Sequence, residues 1–168
     1  MAAQKELTAE GVLKEIKKCG FTHLVFLTDT KVRFIHEALL KEKDITPVPF
    51  CREGEGIAIA AGLVIGGKKP VLLFQNTGLY ESGDSIRTVA LELRLPMLMI
   101  ISYLGWKHDA PMTDTAGIYL EPVLDAWGIR HYLVETDGDV GRISKAWEES
   151  QQTSRPVAVL IGSEYTQQ

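Results

Sequence analysis

The sequence predicts an α/β protein of three layers, in which a mostly parallel sheet is covered by helices on both faces. Short, continuously apolar runs that are typical of buried strands alternate with longer segments of helical periodicity, and this alternation favours a parallel sheet. No internal repeat, low-complexity tract or linker divides the chain of 168 residues. The length is that of one domain with a substantial core, so residues 1–168 are predicted to form a single domain.

Helix and strand signals alternate from the beginning of the chain. Thr8 is a typical N-cap residue, and Gly20 is a typical stop signal for the first helix. Pro47 and Pro49 lack a backbone N–H group, which places the strand that contains them at a sheet edge or makes it irregular. The elements predicted here are a helix from Thr8 to Lys18, a strand at His23–Leu27, a helix at Val32–Lys41 and a strand at Ile45–Phe50.

The next segment is the most distinctive one of the chain. Two acids, Glu53 and Glu55, lie just ahead of the run Ile57–Ile65, in which every residue is apolar or glycine. A helix that is apolar on all sides is typically buried, so this run predicts a buried central helix. The pair Gly66–Gly67 is expected to end it.

After the central helix, a second series of strands and helices follows the same alternation. Each apolar run in it is short enough for a strand, and the segments between the runs have helical spacing. The predicted elements are a strand at Val71–Phe74, a polar turn at Gln75–Gly78, a helix at Ser82–Leu93, a strand at Met97–Tyr103, a loop at Gly105–Gly117, a helix at Tyr119–Trp127, a strand at His131–Val134, a helix at Val140–Thr153 and a strand at Val157–Ile161.

Composition and known motifs exclude several classes of function. The formal net charge of −4 gives no support to nucleic-acid binding. No apolar run reaches the length of a membrane span and the first ten residues lack a signal-peptide core, so we expect a cytoplasmic protein without a membrane partner. The chain has no P-loop, no nucleophile-elbow pattern and no dinucleotide-binding glycine pattern after a strand.

The two acids ahead of the central helix are predicted to point in different directions. At about 100° per helical residue, Glu53 shares a stripe with Ile57, Ala60 and Val64, whereas Glu55 lies on a flank of smaller residues. Glu53 is therefore the acid expected to face inward. Two interpretations stay open, because the acids either serve a ligand or only complement the helix dipole at its N-terminus.

Ligands of an open α/β sheet bind beyond the carboxyl ends of its strands. The predicted loops at that edge span residues 28–31, 75–83, 105–115 and 135–139. Asp29 and Thr30 are suited to bind polar ligand groups, or they cap the second helix. Lys107 and His108 are suited to bind an anionic substrate, or they belong to a solvent-exposed loop.

The segment Arg52–Gly62, together with the strand and turn after it, resembles the pyrimidine-binding domain of thiamine-diphosphate enzymes. The resemblance is to the decarboxylases that act on sulfopyruvate and phosphonopyruvate, in which a glutamate begins an Ala- and Gly-rich helix and a glycine follows nine residues later, as Gly62 follows Glu53. The run Leu72–Leu79 is similar to the family's next strand and turn. A weaker similarity extends over most of the chain, from about Val12 to Ile161. The resemblance implies the thiamine-diphosphate-binding fold of the pyrimidine type.

The resemblance implies carboxy-lyase chemistry that depends on one acid. Glu53 would hydrogen-bond N1′ of the aminopyrimidine of thiamine diphosphate, which is the electron sink for decarboxylation of a small 2-oxo acid. Further contacts to the coenzyme are expected from the polar turn, namely from Gln75, Asn76, Thr77 and Gly78.

The resemblance also implies a partner chain. In the family, Mg²⁺ holds the diphosphate through a motif that begins Gly-Asp-Gly and ends at a later asparagine. Here Asp137-Gly138-Asp139 is the reverse pattern, and Asn76 is the only asparagine of the chain. The implied arrangement is a hetero-oligomer such as α2β2, or a larger one, in which a diphosphate-binding beta subunit holds Mg²⁺ and this chain supplies no metal ligand.

Two departures from the family pattern bear on the substrate. A Val-Pro turn of the family is replaced by Leu27-Thr28-Asp29-Thr30, and an Arg-Gly pair is replaced by Tyr103-Leu104-Gly105-Trp106. Trp106 would admit a more apolar 2-oxo acid, whereas a doubly anionic substrate needs cations. The cations available are Lys31, Arg33, Lys107 and His108.

The alternative to an enzyme subunit is a non-catalytic, flavodoxin-like binding or interaction domain.

Overall fold

The computed structural model describes residues 6–162, which form one parallel sheet between two layers of helices. The strands are β1 (His23–Phe26), β2 (Thr46–Pro49), β3 (Pro70–Gln75), β4 (Leu98–Ser102), β5 (Arg130–Val134) and β6 (Val157–Ile161). Their order in the sheet is β2-β1-β3-β4-β6-β5, and all neighbouring strands are parallel. The predicted α/β fold class is confirmed, as is the edge position of the strand that contains the two prolines.

The helices largely follow the predicted order. Thr8 caps the first helix by accepting a 3.0 Å hydrogen bond from the Gly11 N–H, and Gly20 ends it in the left-handed conformation, with φ at 70°. Within residues 6–162, no helix is long and apolar enough to cross a membrane. The helices are α1 (Ala9–Cys19), α2 (Arg33–Leu39), α3 (Glu53–Ile65), α4 (Asn76–Glu81), α5 (Gly83–Ser85), which continues into a π-helical segment (Ile86–Glu92), α6 (Thr115–Ile118), α7 (Leu120–Ala126) and α8 (Gly141–Thr153).

Two apolar clusters, one on each face of the sheet, hold the layers together. Helices α1, α2 and α8 bury their apolar sides on one face, and α3, α4, the π-helical segment and α7 cover the other. The strands β4 and β6 are buried along their whole length, because both of their faces are covered. Each Val, Leu or Ile side chain buried in this way stabilises the fold by about 1.5–3 kcal/mol.

The structure corrects the predicted turn at Gln75–Gly78, since α4 begins directly at the end of β3. The polar composition of this segment resembles a turn, but tertiary contacts favour a helix there. Leu79 is fully buried against the second apolar cluster, and the Asn76 side chain is held by two backbone carbonyl groups of a distant loop. These contacts order the segment as a helix although its local sequence signal is weak.

Helix α3 is not buried on all sides, which corrects a second expectation. One side, formed by Gly56, Ile57 and the pair Ala60–Ala61, packs on the sheet. The opposite side is open to solvent at Ala58 and Gly62, and Ile65 is 70% exposed at the helix end. An apolar helix surface of this kind is typical of a site at which another protein binds.

The chain reverses its winding direction between β1 and β3. From β1 the chain continues into α2 on one face of the sheet, whereas β3 leads into α4 and the π-helical segment on the other. In open α/β sheets the crevice at such a reversal, beyond the carboxyl ends of the strands, is the usual place for a ligand.

Candidate active site

Glu53 begins α3 with its side chain directed against α4. A Cβ atom at Gly78 would overlap the Glu53 side chain, so the two residues are in close contact. Glu53 is half-buried and Glu55 is exposed, which confirms the predicted orientations of the two acids. Within residues 6–162 the Glu53 carboxylate has no hydrogen bond and no ion pair. It is a half-buried acid whose oxygen atoms are available to a ligand.

The N-terminus of α3 is capped by a residue that sequence analysis did not identify. Glu81, the last residue of α4, accepts a 2.9 Å hydrogen bond from the Gly54 N–H and pairs with Arg52 at 2.6 Å. These two partners hold the pKa of the Glu81 carboxyl below its usual value. Since 27 residues separate Glu81 from Gly54, no local pattern connects them.

At the reversal point, predicted substrate and coenzyme residues meet. The Gln75 side-chain amide donates a 2.8 Å hydrogen bond to Asp29 Oδ1, and the Thr77 hydroxyl donates one of 2.8 Å to Gln75 Oε1. Asp29 Oδ2 is buried without a partner in the described part of the chain. Capping of α2 by Asp29 or Thr30 is not observed, because the N-cap residue Val32 has no side-chain hydrogen bond.

Asn76 is used within the protein. It is fully buried, and its side-chain amide donates 2.9 Å hydrogen bonds to the carbonyl groups of Leu104 and Ala116. Tyr80 donates a third bond, of 2.6 Å, to the same carbonyl oxygen of Ala116. Together these bonds tether both ends of the loop at residues 104–116 to α4.

This tethered loop forms one wall of an open cleft of about 540 Å³. Lys31 and Lys107 both line the cleft, so two of the predicted substrate residues lie at one site. Neither ammonium group has an ion-pair partner within residues 6–162. Thr30, also a predicted substrate residue, is exposed beside Lys31. The other residues that line the cleft are Leu104, Gly105, Trp106, Thr113 and Asp114.

His108 contacts a neighbouring acid. Its Nδ1 lies 2.8 Å from Glu135 Oε1, and the same oxygen accepts a 2.8 Å hydrogen bond from the Trp106 indole N–H. The Trp106 ring also packs on Tyr103, with 5.0 Å between the ring centroids. Glu135 belongs to the fourth loop predicted at the ligand edge, but its role as the anchor of Trp106 and His108 was not predicted.

The stretch Asp137–Asp139 is engaged in holding the fold together. Asp137 accepts hydrogen bonds from the backbone N–H and the hydroxyl of Thr8, at 2.8 and 2.9 Å. Asp139 accepts bonds from the backbone N–H and the hydroxyl of Thr136, and it pairs with Arg142 at 3.0 Å. Both carboxylates thus join elements that surround the end of β5.

Comparison with known proteins identifies the family. No protein-family model matches the chain. It is 30% identical over 159 residues to sulfopyruvate decarboxylase subunit alpha of Methanococcus maripaludis, covering 94% of this chain and 95% of the relative. The same subunit of Methanocaldococcus jannaschii is 32% identical, with coverage of 74% and 75%. Sulfopyruvate decarboxylase of Methanosarcina acetivorans is 22% identical over 90% of this chain but only 39% of its own length. With two relatives at 30% identity or above across most of their length, the chain belongs to the sulfopyruvate decarboxylase alpha-subunit family.

Proposed function

We propose that this chain is the pyrimidine-side subunit of a thiamine-diphosphate-dependent decarboxylase that acts on a small, anionic 2-oxo acid of the sulfopyruvate type. The observation that carries the proposal is the half-buried Glu53 carboxylate, which lies against Gly78 and makes no hydrogen bond or ion pair within residues 6–162. A carboxylate with no bond to its own protein has both oxygens available for a heterocyclic N–H.

The residues around Glu53 fit an aminopyrimidine. When bound, thiamine diphosphate supplies the electron sink for the loss of CO2 from a 2-oxo acid. Glu53 would hold a proton at N1′ of the aminopyrimidine, and Gly78 leaves room for the carboxylate beside α4. Polar groups at the same sheet edge come from Gln75, Thr77 and Asp29. Thr77 donates a hydrogen bond to Gln75, which donates one to Asp29 Oδ1, and Asp29 Oδ2 has no partner within residues 6–162.

The cleft between Lys31 and Lys107 supplies the charge for the substrate. Sulfopyruvate carries a carboxylate and a sulfonate. The ammonium groups of Lys31 and Lys107, which have no ion pair within residues 6–162, would bind these anions through charge-assisted hydrogen bonds. Asp114 also lines the cleft, but its Oδ1 caps α6 by accepting a 2.9 Å bond from the Ala116 N–H. Lys31 and Lys107 are therefore the groups that would hold an anionic substrate.

A partner chain completes this proposal. The relatives are named alpha subunits, and the longer Methanosarcina relative contains sequence beyond the region that this chain matches. The exposed apolar side of α3 provides a surface for a diphosphate-binding beta subunit, which would hold Mg²⁺. Asp137 and Asp139 are already bonded inside this chain. We propose an α2β2 or larger hetero-oligomer.

The replacement of Glu53 by Gln tests the proposal. Gln keeps the size of the side chain but cannot exchange a proton with N1′, so turnover and the exchange of the coenzyme's C2 proton should slow by about 10²- to 10⁴-fold. The matched control is Glu55→Gln, which removes the same charge from the first turn of α3 on its exposed side. Both variants are assayed with the partner subunit, and calorimetry measures their affinity for the coenzyme.

Each possible outcome of this experiment has a clear meaning. A selective effect of Glu53→Gln supports the proposal. Equal and small losses of stability in both variants, of about 0.3–1 kcal/mol and without loss of turnover, would show that the acids only complement the helix dipole. That result would favour the non-catalytic binding domain.

A further inference from the structure

We propose that Glu81 is a positioning residue, which fixes the N-terminus of α3 on α4 and so holds Glu53 in place. This inference rests on the proposed function of Glu53. It names a residue outside the Glu53 helix, and the role that it assigns is to orient the acid without touching coenzyme or substrate.

The geometry links α3 and α4 at two points. Gly78, in the middle of α4, contacts the Glu53 side chain. Three residues later, Glu81 binds the residues on either side of Glu53, because it pairs with Arg52 at 2.6 Å and accepts the Gly54 N–H at 2.9 Å. We call the interaction of Glu81 with Arg52 and Gly54 the α3–α4 clamp. The clamp thus holds the chain on both sides of Glu53, the acid on which the proposed chemistry depends.

No other side chain in the described residues accepts a hydrogen bond from the first N–H groups of α3. The first N–H groups of a helix have no partner within the helix, and the N-cap residue Arg52 makes no side-chain bond to them. The Glu53 carboxylate has no bond of its own in residues 6–162. Without Glu81, the Gly54 N–H would lose its partner, and the first turn of α3 would be held on α4 less firmly.

The clamp also has a defined dependence on pH. Its ion pair with Arg52 needs the ionised form of Glu81, and the pKa of that carboxyl is lowered by its bonds to the Gly54 N–H and to Arg52. A carboxyl with a lowered pKa in the folded protein stabilises the fold above its unfolded pKa, and this contribution disappears as the pH falls through the folded value. The clamp is therefore complete at neutral pH.

The experiment compares Glu81→Ala, Glu81→Gln and Arg52→Ala with a control, Arg87→Ala, which removes exposed ion pairs with Asp84 and Glu92. In the isolated chain, NMR follows the chemical shift and hydrogen exchange of the Gly54 amide. In the complex with the partner subunit, kcat and KM are measured at a temperature at which each variant is folded. We expect kcat to fall by about 10- to 100-fold in Glu81→Ala with KM unchanged, because small displacements of a catalytic group have effects of this size.

The variants should follow a definite order. Gln can still accept the Gly54 N–H, and Arg52→Ala leaves that bond intact, so both should lose less activity than Glu81→Ala, and Arg87→Ala should lose none. Should Glu81→Ala not fold, Glu81→Gln and Arg52→Ala, which both remove the ion pair, are compared with Arg87→Ala by their kcat, and parent-like kcat in both would overturn the clamp. Unchanged Gly54 exchange in Glu81→Ala, or a loss of kcat that Arg87→Ala shares, would overturn the clamp.

Failure of the clamp and failure of the proposed function give different results. If Glu53→Gln is inactive while Glu81→Ala keeps full kcat, the clamp is wrong and the role of Glu53 stands. If Glu53→Gln is fully active, the proposed function is wrong. The positioning role of Glu81 is then wrong too, even if the Gly54 amide still responds to changes at Glu81.

Discussion

At the scale of single residues, the site depends on a glycine. The Glu53 side chain occupies the space that a Cβ atom at position 78 would need. Gly78 lies inside α4, where Ala would have the higher helix propensity, so propensity does not explain glycine at this position. Its small size is explained by the close approach of α3 and α4.

Gly78→Ala should therefore damage both stability and activity. The added methyl group must displace Glu53 or part the two helices, and overpacking of this kind costs about 1–3 kcal/mol of unfolding free energy. Urea unfolding of the isolated chain measures the stability, and kcat in the complex measures the displacement of the acid.

The control for this change is Gly62→Ala, at a position in α3 where a Cβ atom would meet nothing within 4 Å. It should stabilise the isolated chain by about 0.5–1 kcal/mol, since Ala is the better helix former. If both substitutions stabilise the chain, the contact between Gly78 and Glu53 is not tight.

At the scale of elements, the loop at residues 104–116 is held at three places. Asn76 and Tyr80 bind the carbonyl groups at its two ends, and Glu135 binds Trp106 and His108 in its first half. Lys107 is located between the residues bound by Glu135, and it lines the same cleft as Lys31. The loop is thus an ordered wall, which supports a role for Lys107 in recognising one class of substrate.

Lys31→Ala and Lys107→Ala should each raise KM for an anionic 2-oxo acid by about 10- to 100-fold, because one charge-assisted hydrogen bond contributes about 1.5–3 kcal/mol. Little change in kcat is expected, since the bond is present in the ground state and the transition state alike. The measurement is steady-state kinetics of the complex with sulfopyruvate and with an uncharged-tail 2-oxo acid. Only the KM for sulfopyruvate should rise in the two variants.

Lys43→Ala removes the same charge at an exposed position ahead of β2, near the opposite edge of the sheet. It should leave both kinetic constants unchanged. Parent-like KM values for sulfopyruvate in both cleft variants would assign Lys31 and Lys107 to the solvent-exposed surface and remove the charge argument for the substrate.

At the scale of the whole molecule, helix α3 leaves one apolar side uncovered. It runs from Ala58 through Gly62 to Ile65, on the same helix that Glu53 begins. A partner bound there would contact the helix that positions Glu53. Association and coenzyme binding would then depend on one another.

Ile65→Lys should weaken assembly with the beta subunit, because a charge buried in an apolar interface stays unpaired. The isolated chain should keep its stability, as Ile65 is 70% exposed. Light scattering of the mixed subunits measures assembly, and calorimetry of the mixture measures coenzyme binding. The control is Leu40→Lys, 46% exposed beside α2 on the other face of the sheet. If Ile65→Lys assembles as the parent does, the partner binds elsewhere.

The sequence by itself determined the fold class, the edge position of β2 and the inward direction of Glu53. These features depend on periodicity, on proline's missing donor and on the angle between residues of one helix, all of which are local properties of the chain. The tertiary structure alone decided that residues 76–81 are helical, that one side of α3 is exposed and that Lys31 and Lys107 line one cleft. It also decided that Glu81 binds Gly54, 27 residues away in the sequence, and that Glu135 binds Trp106, 29 residues away. The physical reason is that such contacts depend on how distant segments pack together, and no local pattern of residues records which of them will meet.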